Sequence, residues 1–396
     1  MSDHDFLPDR PGVLPIQRLR LAAAHGAIHD PDGGGVPDAS FQPASVDLRL
    51  GRVAHRLRCS FLPGDEPVEA KLQEYSLGEI SLGGRGAVLE IDRPYLIPLV
   101  EELRLPPGVR ARANPKSSTG RLDIFTRVIS DRSHRFDEVA DGYSGKLYLE
   151  VFSRSFTVRV KAGLTLNQIR LAAGGTALEP DLARRTHEGA PLLYRDGAAV
   201  SGAELDRDGG VFLSVDLEAT TAGEDDESDP ATVVGYKARR ESGLLDLSHF
   251  ENNPDEFWEP IWRERGRLVL GREQFYLLRS KERVRIPSDL AAEMVAYDPT
   301  SGELRTHYAG FFDPGFGQFE HEGPPGAAAV LEVRAHDVPF MIEDGQKVSK
   351  FSFEPMAEPP EVLYGAQVGS HYHGQPRMLS KYFRPFRGRQ MPFLFG

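Results

Sequence analysis

A short polar segment in the first half of the chain has the side chains needed to bind a phosphate group. It runs from Lys116 to Arg121 and contains an ammonium, the adjacent hydroxyls of Ser117 and Ser118, Gly120 and a guanidinium. Point charges, paired guanidinium donors and backbone amides are the groups that hold phosphate oxygens in proteins. Taken alone, the segment is equally well interpreted as a polar turn, so its meaning depends on the residues that accompany it.

Two glutamates lie in short alternating segments that predict strands. Glu150 follows Leu149 in KLYLEVF, and Glu332 follows Leu331 in AVLEV. A carboxylate that faces a β core is costly unless it is hydrogen-bonded or functional. A single carboxylate with a tuned pKa can act as a general base and then as a general acid. An outward-facing glutamate paired with a surface cation is the alternative interpretation of each position.

The segments around these glutamates belong to an internal repeat. Residues 87–107 align with 268–288, and the segment of Glu150 aligns with that of Glu332, at a nearly constant offset of 181 to 182 residues. A third, shorter match follows at the same offset. Repetition at a fixed spacing is typical of duplicated structural units. The sequence therefore predicts two diverged copies of one domain in tandem.

Composition predicts a mainly β protein. The 396 residues include 40 glycines and 30 prolines, which interrupt long helices, and apolar residues alternate with polar ones as in strands. Residues 95–102 and 287–294 are the best candidates for short helical turns. The acidic stretch 218–232 has little to bury and predicts a solvated linker. We therefore expect a first domain with an N-terminal extension over residues 1–217 and a second over 233–396.

Charge and cysteine content exclude several classes of function. The formal net charge of −12 at pH 7 argues against a general surface for nucleic acid or anionic membrane. Cys59 is the only cysteine, so neither an intrachain disulfide nor a zinc site built on a cysteine pair can form. The N-terminal sequence has no apolar signal core, and no segment reaches the roughly 18–20 apolar residues of a membrane span. We expect a cytoplasmic protein.

Four motifs follow one another in a characteristic order. They are QPASVDLRLG at 42–51, KSSTGR at 116–121, GYSG at 142–145 leading into Leu149-Glu150, and the stretch from Gly163 to Asn167-Gln168-Ile169. Together they resemble the dCTP deaminase branch of the dUTPase-like superfamily, over roughly residues 42–171 and, through the repeat, more weakly over 268–353. The resemblance implies two β-clip or jelly-roll-like domains, and deamination of dCTP to dUTP and ammonia without zinc. It also implies that Mg²⁺ is carried by the triphosphate.

The resemblance also implies roles for individual residues. Glu150 matches the general base that takes a proton from the water attacking C4 of cytosine and passes protons toward the leaving ammonia. Arg121 matches the residue that holds this carboxylate, and Ser117 the one that positions the water or the developing charge. The residues matched to nucleotide binding are Lys116 and Ser118, for the triphosphate, and Gln168.

Each copy departs from the family pattern at a different motif. The turn whose aspartate meets the deoxyribose 3′-hydroxyl reads VADGY at 139–143, with the acid displaced, but FDPGF at 312–316 in the second copy. Conversely, the second copy's counterpart of the phosphate motif, DPTSGE at 298–303, lacks the lysine and replaces the arginine with glutamate. In this superfamily, neighbouring domains build each site together. We therefore expect productive sites to combine Lys116, Ser117, Ser118 and Arg121 of the first copy with Asp313 and Glu332 of the second.

Several alternatives stay open at the level of sequence. A dUTPase, or a bifunctional enzyme that makes dUMP and diphosphate, shares these motifs, and a non-catalytic nucleotide-binding regulatory module is a hypothesis of another class. The resemblance implies dCTP and dUTP as ligands and a homo-oligomer, with a trimer of two-domain chains favoured. No nucleic-acid polymer or membrane is expected as a partner. The tail after Gly369 resembles a lid over the triphosphate, and a packed terminal extension is its alternative.

Overall fold

Antiparallel strands dominate the backbone, as the alternating sequence predicts. The computed structural model describes residues 6–176, 178, 180–205, 210–219, 233–295, 304–306, 310–318, 325–335, 337–365 and 378–386. We call the described residues up to 176 the first half and those from 180 onward the second half. Among the described residues, none of the helices combines the length and apolar character that crossing a bilayer requires.

The strands of the first half are β1 (Gly12–Val13), β2 (Ile28–His29), β3 (Val46–Arg49), β4 (Val53–Leu57), β5 (Ser76–Ser81), β6 (Ala87–Leu89), β7 (Tyr95–Arg104), β8 (Val109–Pro115), β9 (Ile124–Ser130), β10 (Glu138–Val139), β11 (Ser144–Ser153), β12 (Val158–Val160) and β13 (Thr165–Ala173). Those of the second half are β14 (Leu193–Arg195), β15 (Ala198–Ala199), β16 (Val211–Ser214), β17 (Val233–Ala238), β18 (Leu245–Asp246), β19 (Trp258–Trp262), β20 (Arg267–Leu270), β21 (Phe275–Val284), β22 (Leu290–Val295), β23 (Leu304–Thr306), β24 (Phe311–Phe312), β25 (Ala327–Ala335), β26 (Phe340–Glu343) and β27 (Lys347–Pro355). The helices are α1 (Ile16–Ala24), α2 (Val68–Tyr75), α3 (Ser117–Gly120) and α4 (Pro180–Gly189), with 3₁₀ turns at Asp38–Ser40, Gly202–Glu204 and Pro254–Glu256.

The two halves contain sheets with the same order of strands. One sheet runs β5-β4-β7-β11-β9 in the first half and β19-β17-β21-β25-β23 in the second. A second sheet runs β3-β13-β8-β10 and β16-β27-β22-β24, and the pair β6-β12 corresponds to β20-β26. Two cores of this kind account for a chain that is long for a single hydrophobic core.

Glu150 and Glu332 occupy equivalent positions in the two large sheets. Glu150 in β11 lies opposite Leu96 of β7, and Glu332 in β25 lies opposite Leu277 of β21. The leucine that precedes each glutamate is fully buried in a hydrophobic core. Because successive side chains point to opposite faces of a sheet, both glutamates project from the face away from that leucine. What covers this face differs between the halves.

Aromatic side chains of the second half complete the core of the first. Phe257 and Trp258 pack there with Tyr382 and Phe383, and Trp258 meets the ring of Phe156 edge-on at 5.4 Å between centroids. Strand β18 also pairs in parallel with β12. Each buried aromatic of this size contributes a few kcal/mol to stability, so the second half helps to stabilise the core of the first.

The division between the halves lies earlier in the chain than the sequence predicts. Strand β14 pairs with β21, and β16 pairs with β27, so residues 193–214 complete sheets of the second half rather than belonging to a first domain that ends at 217. Such short strands carry too few residues to reveal which distant edge they join. Residues 220–232, most of the predicted acidic linker, lie outside the described residues.

The short helical turns expected at 95–102 and 287–294 are wrong. Residues 95–104 form β7, and residues 290–295 form β22. The alternation of β7 is concealed by Glu101, which is fully buried and accepts hydrogen bonds from Nε of Arg49 at 2.6 Å and from its backbone N–H at 2.7 Å. A paired carboxylate can occupy a core position, which a hydrophobicity pattern does not reveal.

Substitution of the two tryptophans of the chain tests whether the second half contributes to the core of the first. Trp258→Ala removes a fully buried ring from the core of the first half, and we expect it to lower the free energy of unfolding by about 3–5 kcal/mol. Trp262→Ala, at the exposed end of the same strand, should cost less than about 1 kcal/mol. Urea denaturation followed by circular dichroism measures both. Equal losses for the two variants would contradict the shared core.

Candidate active site

The predicted phosphate segment forms a single helical turn between β8 and β9. The backbone N–H groups of Thr119 and Gly120 donate to the carbonyl of Lys116, and that of Arg121 donates to Ser117. Thr119 and Gly120 are buried, whereas Ser117 at the start of the turn is partly exposed. A polar turn this deeply placed needs partners, and the second half supplies them.

Glu332 of β25 lies directly against this turn. A β-carbon built on Gly120 falls 2.6 and 2.8 Å from the two carboxylate oxygens of Glu332, so only glycine lets the carboxylate approach so closely. Burial raises the pKa of Glu332 well above its usual range; the positive charge of Arg121 opposes this rise, and the negative charge of Asp123 adds to it. The structure thus places Glu332 of the second half close to Arg121 of the first.

A buried ion pair holds the same strand to the same segment. Arg334, two residues after Glu332 and on the same face of β25, pairs with Asp123. Both side chains are almost completely buried. Ser155 donates to Asp123 at 2.5 Å and accepts from Arg334 at 3.2 Å. Since a buried charge without its partner is strongly destabilising, this pair fixes segment 117–123 relative to β25.

Two lysines, Lys116 and Lys381, lie beside the turn, and we call them the lysine cluster. Nζ of Lys116 pairs with Asp47 and donates to Oγ1 of Thr165 at 3.2 Å. Lys381 lies close to both charges: burial and the like charge of Lys116 lower its pKa to about 8, against the opposing effect of Asp47. Two ammonium groups near one carboxylate leave a net positive charge, which suits an anionic ligand.

Asp313 also lies at the boundary between the halves. It begins the turn 313–316, in which Gly315 adopts a φ of +98°, and its carboxylate accepts from Arg170 of β13 at 3.2 Å. Burial raises the pKa of Asp313, Arg170 lowers it, and the nearby charge of Asp47 raises it. Through Asp47, the Asp313 turn is therefore linked electrostatically to the lysine cluster.

Gln168 lies on the strand that carries Arg170. It precedes Arg170 by two residues in β13, so both side chains leave the same face. The Gln168 side chain is buried and accepts from Ser45 at 3.1 Å. Gln168 and Ser45 both belong to motifs that the sequence analysis identified.

The described part of the C-terminal tail, residues 378–386, packs on the helical turn. The carbonyl of Met378 accepts from Nη1 of Arg121 at 3.2 Å, and Ser380 donates to the carbonyl of Ser118 at 2.7 Å. Tyr382 is buried in the core of the first half. The tail is therefore a packed extension that also contacts the candidate site; residues 366–377 lie outside the described residues.

Glu150 has a different environment from Glu332. It is fully buried, its Oε1 lies 3.8 Å from Nη1 of Arg127, and Asp137 is a further charged neighbour. Burial raises its pKa, which Ser60 and Arg127 lower. Side chains of the first half cover this face, including Leu57, Phe61 and Val68. The motif 298–303, the second copy's counterpart of the phosphate motif, lies outside the described residues.

Five residues of this region were not identified as site residues from the sequence: Asp47, Asp123, Arg170, Arg334 and Lys381. Strand alternation places Arg334 on the face of Glu332 and Arg170 on the face of Gln168, and Asp47 lies within the motif at 42–51. In the part of the chain that the structure describes, no group of three or more histidine, cysteine, aspartate or glutamate side chains is arranged to hold a metal ion.

Family models match both halves of the chain. The N-terminal domain of 2′-deoxycytidine 5′-triphosphate deaminase matches residues 10–175, and the C-terminal domain of the same family matches residues 183–383. The second match covers about half of the chain by itself. The interval between the two matches agrees with the division seen in the sheets.

Individual proteins show the same similarity. The dCTP deaminase of Natronomonas pharaonis is 34% identical over 129 residues, which are 32% of this chain and 62% of that protein. The dUMP-forming dCTP deaminase of Dictyoglomus thermophilum is 30% identical over 130 residues, with the same coverage of 32% and 62%. The chain thus spans less than two thirds of the length of these curated relatives. The crystal structure of 2′-deoxycytidine 5′-triphosphate deaminase from Agrobacterium tumefaciens superposes with a TM-score of 0.79 and 40% identity, covering 89% of this chain and 100% of that one.

Removal of the buried arginine tests the contact between the halves. Arg334→Met removes the guanidinium that pairs with the buried carboxylate of Asp123, and we expect the free energy of unfolding to fall by about 3–5 kcal/mol. Arg267→Met, which removes an exposed pair with Glu343, should cost less than about 1 kcal/mol. Asp123→Asn added to Arg334→Met should recover part of the loss. Denaturant unfolding of the wild type, the two single variants and the double variant measures these changes. A neutral Arg334→Met would contradict the contact.

Proposed function

The chain belongs to the 2′-deoxycytidine 5′-triphosphate deaminase family, and on this premise we propose that it hydrolyses dCTP to dUTP and ammonia. The observation that carries the proposal is the placement of the Glu332 carboxylate of the second half against Gly120 and Arg121 of the first. It puts a buried carboxylate of raised pKa beside a segment suited to phosphate. Proton transfer and polyanion binding are the two requirements of this reaction.

Glu332 is the general base in this proposal. Its raised pKa makes the carboxylate a stronger base than an exposed glutamate, and the charge of Arg121 favours its ionised form. It takes a proton from water as the water oxygen bonds to C4 of cytosine and the electrons of the C4=N3 double bond move to N3. It then passes the proton to the amino group on C4. The electron pair on N3 re-forms the C4=N3 double bond as the C4–N bond to the amino group breaks, ammonia leaves with the electrons of that bond, and the remaining hydroxyl proton moves to N3 to give uracil.

Arg121 and Ser117 orient the reacting groups. The guanidinium of Arg121 donates to the carbonyl of Met378, and its charge acts on the carboxylate of Glu332. Ser117, partly exposed at the start of α3, is placed to position the attacking water or the charge that develops at the base. We propose that this chemistry proceeds without zinc, in keeping with a sequence whose single cysteine cannot form a cysteine-pair site.

The triphosphate is assigned to the lysine cluster. Lys116 and Lys381 supply two ammonium groups, and Ser118 lies beside them, while Asp47 is the carboxylate with which the triphosphate competes for Lys116. Mg²⁺ enters as part of the substrate, bound to the phosphates. Gln168 is placed to contact the nucleotide, with its amide held by Ser45.

Both partners of the central contact, Glu332 and Arg121, come from one chain. The proposed site therefore forms between the halves of a single polypeptide. We further propose that the protein is a homo-oligomer, with a trimer of two-domain chains favoured by the family resemblance. Sedimentation of the purified protein measures this state directly.

A bifunctional activity is the second candidate function. Curated relatives named dUMP-forming dCTP deaminases match this chain at 30% identity, and that name favours release of diphosphate as well as ammonia. Measuring both products from dCTP separates a deaminase, a dUTPase and a bifunctional enzyme. Binding of dCTP without either product would instead support the regulatory module.

Two isosteric substitutions identify the general base. Glu332→Gln should reduce ammonia release from dCTP by about 10²- to 10⁴-fold, the usual contribution of a general base. Glu150→Gln should leave the rate within a few fold, because Glu150 faces Arg127 and a layer of its own half. Steady-state assays with a coupled ammonia readout measure both. The opposite pattern, with activity lost only in Glu150→Gln, would overturn the site between the halves.

The pH dependence of nucleotide affinity tests Lys381. Its pKa is lowered to about 8, so it is charged at neutral pH, and a bound polyanion should raise that pKa. The affinity for the nucleotide is therefore highest below about pH 8. It falls as the pH rises, by up to about tenfold per pH unit, until the pH reaches the pKa of Lys381 in the complex. Lys381→Arg, which stays charged, should flatten this fall. The KM for dCTP between about pH 7 and 9.5 is the measurement.

Lys146→Arg provides the matched control for this profile. Lys146 pairs with Glu69, away from the lysine cluster, so this variant should keep the profile of the wild type. A KM that rises equally in wild type and Lys381→Arg would show that another group controls the affinity.

A further inference from the structure

Arg170 of the first half contacts the turn of the second half that contains Asp313. Arg170 in β13 is almost completely buried, and its Nη2 donates to Oδ1 of Asp313 at 3.2 Å. Its Nη1 donates to Oε2 of Glu354 at 3.3 Å and to the carbonyl of Ala292 at 3.3 Å. Burying a guanidinium is costly, so such a network needs several well-placed acceptors to form.

Arg170 contacts consecutive residues of the second half. The guanidinium carbon of Arg170 lies 4.0 Å from the ring centroid of Phe311, and its Nη2 also reaches the carbonyl of Phe312 at 3.5 Å. Together with Asp313, three successive residues therefore contact one guanidinium. A planar group with a fixed fork can satisfy ring, carbonyl and carboxylate at once, which a lysine cannot.

Arg170 also controls the charge of Asp313. Burial and the neighbouring Asp47 both raise the pKa of this carboxyl, and Arg170 provides the opposing effect. Without Arg170, the carboxyl would lose the cation that offsets the effect of Asp47. Ionisation and orientation of Asp313 therefore both depend on the same side chain.

The contact of Arg170 is not repeated by the equivalent residue of the second half. Strands β13 and β8 correspond to β27 and β22. Arg170 lies opposite Arg112 in the first pair, and Ser352 lies opposite Glu293 at the equivalent position of the second pair. Ser352 is therefore the counterpart of Arg170, and its short hydroxyl cannot reproduce the contact. The arginine belongs to the half that lacks the aspartate in its own turn, and it orders the turn of the half that keeps it.

We propose that Arg170 is a positioning residue that holds Asp313 ionised and correctly oriented to accept a hydrogen bond from the deoxyribose 3′-hydroxyl. Arg170 acts through Asp313 and does not touch the nucleotide. It thereby sets the preference for a nucleotide that carries this hydroxyl over one that lacks it. The inference rests on the proposed function, because it requires that dCTP bind with its sugar at Asp313.

The test compares dCTP with 2′,3′-dideoxycytidine triphosphate, which lacks the 3′-hydroxyl. A hydrogen bond to a charged group predicts that the wild type prefers dCTP by roughly tenfold or more in kcat/KM. Arg170→Lys and Arg170→Met should both reduce this preference by about tenfold, mainly through a higher KM for dCTP, with little change for the dideoxynucleotide. Arg170→Lys keeps a positive charge and provides the result if Arg170→Met fails to fold.

Two further variants separate positioning from general loosening. Arg18→Met removes another arginine pair between the halves, with Glu358 at 2.8 Å, and should keep the full preference for dCTP. In an Asp313→Asn background, which should itself lose the preference, Arg170→Lys should have no further effect on it, because the two residues act as one unit.

The outcomes separate this inference from the function on which it rests. A wild type that deaminates both nucleotides equally well would overturn the placement of the sugar at Asp313, and this inference with it. A wild type that discriminates, together with Arg170 variants that discriminate equally, would overturn only the role of Arg170. Loss of the preference in Arg18→Met as well would also overturn it, because any weakening of the boundary would then suffice.

Discussion

The contact of segment 117–123 with strand β25 is the constraint on which the rest of the site depends. Glu332 approaches Gly120 so closely that no β-carbon fits between them. The ion pair of Asp123 with Arg334 is buried and therefore stabilises the protein only while the halves are docked. A site assembled in this way is present when the two cores are joined and is lost when they separate. Its geometry is thus inseparable from the folding of the whole chain.

The two large sheets share a strand order but not a covered face. Around Glu150, the face is closed by residues of the same half, among them Phe61 and Val68. Around Glu332, the corresponding face receives the helical turn of the other half. Two equivalent strands thus present chemically identical residues to different surroundings, and the surroundings decide what each carboxylate can do. A duplicated fold permits this asymmetry because one copy can close a surface that the other copy needs.

Strand alternation and the repeat predicted much of this arrangement. Alternation identified the strands of Glu150 and Glu332, and the complementary loss of motifs in the two copies led to the expectation that Arg121 and Glu332 meet. The sequence could not predict the partners of Arg170 and Arg334, which lie 143 and 211 positions away from the acids they bind. Strand alternation gives the face from which each arginine projects, but it does not give the acid of the other half that lies against that face.

The errors have a related physical origin. The helical turn predicted at 95–102 is a strand in which Glu101 occupies a core position, where it pairs with Arg49. The misplaced boundary at 217 followed from short strands whose hydrogen bonds go to distant edges. In each case, the decisive contact is long-range, and pattern recognition over a dozen residues does not contain it.

Local charge, rather than net charge, governs what this site can bind. The chain carries a formal charge of −12, yet charges separated by more than the Debye length of about 8–10 Å are largely screened in physiological salt. Within that range, Lys116 and Lys381 face Asp47, and Arg170 faces Asp313. Burial disfavours ionisation of both aspartates and of Lys381, so these charges are sustained mainly by one another. A polyanion that entered beside the lysines would relieve their mutual repulsion, and an acidic protein can therefore hold a triphosphate at a site whose cations are stabilised by the ligand itself.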